Sequence, residues 1–159
     1  MTKHILLSAL VAVSIGSVAV QAKPLVPFKA RWTGVTVAAD LTNFPVVGVL
    51  SVGEGNATHL GLYSMESPHT SNVFTGETIG EQIFTAANGD TLTAHCEGFP
   101  LPQPNGTVEG ALDCTITSGT GRFANAIGGY EFYLVATPKP DVFPPIYETE
   151  ARITGQIGF

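Results

Sequence analysis

Residues 147–157 read Tyr147-Glu148-Thr149-Glu150-Ala151-Arg152-Ile153-Thr154-Gly155-Gln156-Ile157, and their alternation decides the fold class. Tyr147, Thr149, Ala151, Ile153, Gly155 and Ile157 fall on one side of an extended chain; Glu148, Glu150, Arg152, Thr154 and Gln156 fall on the other. A period of two describes a strand with one buried and one wet face. Residues 130–137 repeat it, setting Tyr130, Phe132, Leu134 and Ala136 against Glu131, Tyr133, Val135 and Thr137. The apolar face mixes rings with small residues, as in the tapering interior of a small barrel. Closing such a sheet also removes the edges through which strands aggregate.

Outward from this segment the chain is built of similar pieces. Further strands are expected over 28–39, 45–52, 57–66, 81–86, 91–97 and 108–117, with 72–75 either a short strand or part of a loop. Regular short strands separated by turn signals indicate a sandwich or a barrel. Asn88-Gly89 predicts a tight type I′ hairpin, because that turn needs positive φ at both central positions. Pro100-Leu101-Pro102-Gln103-Pro104-Asn105-Gly106 is expected to be a stiff hairpin loop, and residues 138–145 form another before the last strand. The 18 glycines and 11 prolines leave no room for the uninterrupted helices of a bundle or a βαβ fold. An apolar content of 44% with only 13% charged residues excludes a disordered chain. The expectation is all-β: one eight-stranded antiparallel β-barrel, with helix confined to a short turn near Arg122.

The barrel is expected to occupy residues 23–159. Ahead of it, Lys3 and His4 precede an apolar stretch from Ile5 to Val20, and Val20-Gln21-Ala22 offers small residues at the positions a signal peptidase reads. This order is that of a secretory signal over 1–22, and the stretch is short of the ~20 residues that span a bilayer. The mature chain is therefore expected to be exported, periplasmic or extracellular, with no membrane span. Removing Lys3 takes the net charge of −6 one unit further negative, leaving no basic footprint for nucleic acid.

Cys96 and Cys114 are the only cysteines. An even count in an exported chain predicts a disulfide. By parity both lie on apolar strand faces, and their strands are consecutive, so they can stand opposite one another. No C-x-x-C spacing points to zinc. Of the histidines, His95 and Glu97 share a face that turns to solvent if Cys96 turns inward, and His69 follows Pro68 in an expected loop. His59 shares parity with Tyr63 and Met65, and that strand alone does not say which face is inside. G-x-S-x-G, P-loop and dinucleotide motifs are absent. No metal and no cofactor are expected.

Residues 119–129 read Gly119-Thr120-Gly121-Arg122-Phe123-Ala124-Asn125-Ala126-Ile127-Gly128-Gly129: a glycine turn, a corner held by Phe123 and Ile127, then glycines re-entering a strand. This resembles the G-T-G-R-F-x-x-A-x-G corner of barrels of the allene oxide cyclase and dirigent type, where it joins two long strands of a calycin-like barrel. Asn88-Gly89-Asp90-Thr91-Leu92 and Ala57-Thr58-His59-Leu60-Gly61 also resemble secreted bacterial members of that group. The resemblance implies a barrel that shapes a bound molecule with few reacting groups. It makes Gly119, Gly121, Arg122, Phe123 and Gly128 a structural motif, with Arg122 tying the turn to a carboxylate or to carbonyls. It carries over no catalytic residue, since by alternation Asp113, Glu131, Glu148 and Glu150 point outward.

Three functional readings follow. In the first, the lumen binds a small apolar or aromatic ligand, lined by Tyr130, Phe132 and Tyr147, with Trp32 if the first strand keeps the register that turns Lys29 and Arg31 to water, and with His59 and Tyr63 if their strand turns its polar face inward. In the second, side chains fill the lumen and the surface engages another protein. In the third, the scaffold is a cyclase or isomerase, which needs an inward acid or base. The sequence decides neither whether the protein is an enzyme nor in what oligomeric state it works.

Overall fold

In the computed structural model, which describes residues 23–140, 142, 143 and 146–159, the chain is almost entirely strand. The expected signal segment, 1–22, lies outside the described residues. The strands are β1 Val26–Asp40, β2 Val46–Ala57, β3 Gly61–Asn72, β4 Thr78–Ala86, β5 Thr91–Gly98, β6 Leu101–Pro102, β7 Val108–Gly119, β8 Ile127–Pro138 and β9 Tyr147–Gly158. Each long strand pairs antiparallel with the next, β9 returns to β1, and β5 pairs with β7, closing an eight-stranded up-and-down barrel. The two-residue β6 lies outside the closed circuit, against Val108 and Glu109 of β7.

The ladder closes with a stagger. Following partners around the barrel from Ala39 of β1, through Val49, His69, Gly80, Cys96, Cys114, Tyr130 and Gly155, returns to β1 at Phe28. That shear tilts the strands and, for eight of them, sets a lumen wide enough for side chains or one small ligand.

Alternation orients the strands as the sequence predicts. Ala151, Ile153 and Ile157 of β9 are buried while Glu148, Glu150, Arg152, Thr154 and Gln156 are exposed. Phe28, Ala30 and Trp32 are buried on β1, with Lys29 and Arg31 outside. Asp113 and Glu131 point outward, as do His95 and Glu97 on either side of buried Cys96.

The expected disulfide is present. Cys96 and Cys114 are paired residues of β5 and β7 with Cα atoms 4.1 Å apart. The bond therefore crosses the seam at which the sheet closes, and no free cysteine remains among the described residues.

One end of the barrel is filled. Phe84 is fully buried and meets Phe28 (6.4 Å between centroids), Tyr63 (5.1 Å) and Tyr130 (6.0 Å), mostly edge to face, the geometry aromatic pairs prefer. Tyr130 donates to Gln82 Oε1 at 2.9 Å and Tyr63 to the Arg31 carbonyl at 3.1 Å, so both buried hydroxyls are satisfied. The glycine corner caps this end. Gly121–Phe123 forms one 3-10 turn, Phe123 is fully buried, and the Asp90 carboxylate accepts from the Arg122 amide and lies 4.0 Å from its guanidinium. Gly121 sits at φ +54°, a conformation that favours glycine, and a Cβ there would push the Asp90 carboxylate out of its place beside Arg122. Gly119 ends β7 and Gly128 lies in β8 at φ +125°. Ile127 does not help hold the corner. It is the first residue of β8, on the outward parity, and is 46% exposed; Ala126 is buried in its place.

Three local expectations change. The hairpin at Asn88-Gly89 forms, but only Gly89 has positive φ (+87°). Gly89 N–H donates to Ala86 O and Ala86 N–H to Asp90 O, giving a three-residue loop with glycine at its left-handed position rather than a type I′ turn. Ala57 closes β2 instead of opening β3. β3 runs on to Asn72, well past Pro68, and of the two readings of 72–75 the loop holds from Val73 onward.

Candidate functional site

The other end of the barrel is open. A cavity of about 500 Å³ rises from a floor containing Trp32 and Phe132, whose rings lie 6.0 Å apart. Val47, Val49, Leu112, Leu134 and Ala136 supply apolar walls; Thr36, Ser51, Ser67, Ser71, Thr78 and Thr149 supply hydroxyls; His69 and Tyr147 complete them. Leu41, Phe44, Val73, Pro100, Pro102 and Phe143 stand at the mouth. Phe44 stacks edge to face on Phe74 at 5.5 Å, and Phe143 is 86% exposed. Among the described residues no Asp, Glu, Lys or Arg lines the cavity.

The sequence-derived residues divide three ways. Trp32, Phe132 and Tyr147 line the cavity. Tyr63 and Tyr130 point inward but belong to the filled half, where Phe84 packs between them. His59 is not in the lumen: β2 ends at Ala57, and His59 occupies the turn before β3 at φ +71°. Its ring is exposed, against Phe159 at 5.4 Å, with Nε2 3.1 Å from the Pro27 carbonyl. Alternation holds only along a strand, and the turn breaks it.

His69 is the polar residue the sequence reading missed. Pro68 signals a loop, yet β3 continues because Pro68 faces solvent. The ladder with β4 pauses after Glu66 and resumes at His69, so the missing donor of Pro68 falls where no bond is made. Tyr63, Met65, Ser67, His69 and Ser71 thus share the inward face. Opposite His69 on β4 stands Gly80, where a Cβ would collide with the His69 Cβ; the glycine makes room for the ring. His69 Nδ1 donates to the Ser67 carbonyl at 2.9 Å, which fixes the tautomer. Burial lowers its pKa below the ordinary imidazole value, the Ser67 bond opposing only in part, so the ring is neutral at pH 7.

This lowered pKa sets a pH dependence. Above the unfolded-state value of ~6.5 both states are neutral and His69 contributes nothing. As pH falls from there toward the folded value, only the unfolded chain gains the proton and stability declines. Thermal unfolding between pH 8 and 5 is expected to show that decline in the wild type and a shallower one in His69→Phe. Parallel curves would show that His69 is not desolvated.

Two buried donors, Trp32 Nε1 and Gln82 Nε2, have no partner among the described residues, an arrangement that costs ~1–3 kcal/mol per group. No group of three or more His, Cys, Asp or Glu among the described residues could hold a metal.

Fold and site together define a class: a closed eight-stranded antiparallel barrel with one end packed by rings and the other opening a cavity with no charged side chain among its described lining residues. A solved structure of a pterocarpan synthase dirigent protein is similar to this chain at 13% identity and a TM-score of 0.49, over 93% of this chain and 99% of that one. A likeness at this level says nothing of chemistry. No family model matches the chain, and no curated protein does.

Proposed function

We propose that the protein binds a small, uncharged, largely apolar ligand in the open half of its barrel. The cavity carries this reading. Its volume of about 500 Å³ falls in the range of small-molecule sites, and its apolar walls with sparse polar groups are the composition such sites have. A barrel filled throughout and acting only through its surface would leave no such volume. No described lining residue is charged, which disfavours ionic ligands, because an unpaired charge loses its hydration there without compensation. The disulfide suits an oxidising compartment, which supports the exported location inferred from the first 22 residues. No described helix is long and apolar enough to cross a membrane.

Trp32 makes the test simple. It is the single tryptophan in the sequence and lines the cavity, so its emission reports on the lumen. Organic extraction of protein purified from its native source is expected to release one class of uncharged molecule in near-stoichiometric amount, and stripping it to shift Trp32 emission. Protein that yields no such species, and whose emission apolar probes leave unmoved up to their solubility limits, overturns the reading.

A second reading, isomerisation of a bound substrate, draws on the neutral imidazole of His69, a base the alternation pattern alone does not supply. It is distinguished by whether a bound molecule leaves chemically changed.

A further inference from the structure

The cavity offers hydroxyls that donate or accept as required, and one group that cannot choose. His69 sits on the inward face of β3 and lines the cavity. Its Nδ1 is turned back to the carbonyl of Ser67 on its own strand, at 2.9 Å. The opposite edge of the ring, Nε2, therefore faces away from the strand and into the lumen. Nε2 makes no hydrogen bond to any described residue. With Nδ1 carrying the proton, a neutral ring leaves Nε2 as a pure acceptor.

We infer that the lumen selects, among uncharged ligands, those bearing a hydroxyl that donates to His69 Nε2. The inference rests on the lumen-binding reading and narrows it to neutral alcohols and phenols over ketones, ethers and hydrocarbons of the same shape. The selection follows from what is left unpaired. A ligand without a donor strips the remaining water from Nε2 and returns nothing, and a desolvated, unmet acceptor is costly. The neighbouring hydroxyls do not substitute. Ser71 Oγ and Thr78 Oγ1 are engaged with each other at 2.9 Å, and Ser67 Oγ is 3.5 Å from Nδ1, on the edge away from Nε2.

Borneol and camphor provide a matched pair, with the same compact carbon skeleton. Borneol carries a donating hydroxyl, camphor an accepting carbonyl only. Calorimetry, or titration of Trp32 emission, is expected to give about tenfold tighter binding of borneol, the worth of one hydrogen bond in a dry site. In His69→Phe the ratio of the two affinities is expected to fall to about one, because camphor no longer strips water from an unmet acceptor and borneol no longer has one to donate to. A residue that merely shaped the wall would change both affinities together. The wild-type protein provides an independent reading: the ¹⁵N resonance of His69 Nε2 is expected to move upfield with borneol and not with camphor. Equal affinities in the wild type, a preference that survives in His69→Phe, or an Nε2 resonance indifferent to borneol each overturn the inference while leaving lumen binding intact. If neither probe binds the wild type, the lumen-binding reading falls and this inference with it.

Discussion

Replacing Phe84 with alanine is expected to destabilise the protein by about 3–5 kcal/mol, the usual cost of removing a fully buried ring. Phe84 has no exposed surface and touches Phe28, Tyr63 and Tyr130. These three rings stand on different strands, so the filled end cannot collapse to close the gap. Phe132→Ala supplies the control. Phe132 is almost as buried, at 4% exposed, but its ring forms part of the cavity floor. Where one side of a ring already faces a void, fewer contacts are lost, so the same change is expected to cost clearly less and to alter ligand affinity instead. Urea unfolding of both variants, with Trp32 as reporter, checks the pair. Equal losses would mean that the open half is packed in solution as tightly as the closed half.

Removing the Cys96–Cys114 bridge, by Cys96→Ala together with Cys114→Ala, is expected to cost about 3 kcal/mol on the chain-entropy account. The sequence separation is 18. The position matters more than the loop length. β5 and β7 close the barrel, so a weakened seam exposes two strand edges at once, and unpaired edges promote aggregation. The double variant is expected to show both a lower unfolding midpoint and more association on heating, read by calorimetry and light scattering. A variant as stable as the wild type would show that the seam is held by its backbone ladder alone. Reduction of the wild type should reproduce the effect only once the protein begins to open, because both cysteines are buried at 2% and 4% exposed.

Much of this architecture was legible in the sequence because the barrel is made of local patterns. Period-two alternation in 130–137 and 147–157 gave the orientation of β8 and β9, and lysine and arginine at 29 and 31 placed Trp32 inside. The parity of Cys96 and Cys114 placed both on apolar faces, and the succession of their strands placed them opposite one another. Each of these follows from a few consecutive residues, and sequential antiparallel pairing carries such readings across the sheet without long-range information.

What failed, failed where a local signal had more than one tertiary outcome. Pro68 ends a strand in most settings, and here it is tolerated because its missing donor meets a gap in the ladder; only the pairing of β3 with β4 decides that, and with it the inward turn of His69. His59 shares parity with Tyr63 but is cut off by a turn. The division of the lumen was the larger omission. Rings at 63, 84 and 130 and rings at 32 and 132 look alike in sequence, yet the first set meets across the barrel and fills it, while above the second set serines, threonines and small apolar residues leave a void. Alternation says which side chains face the axis. Only the stagger of the closed sheet says which of them reach the same height, and that coincidence in height decides whether the space is core or cavity.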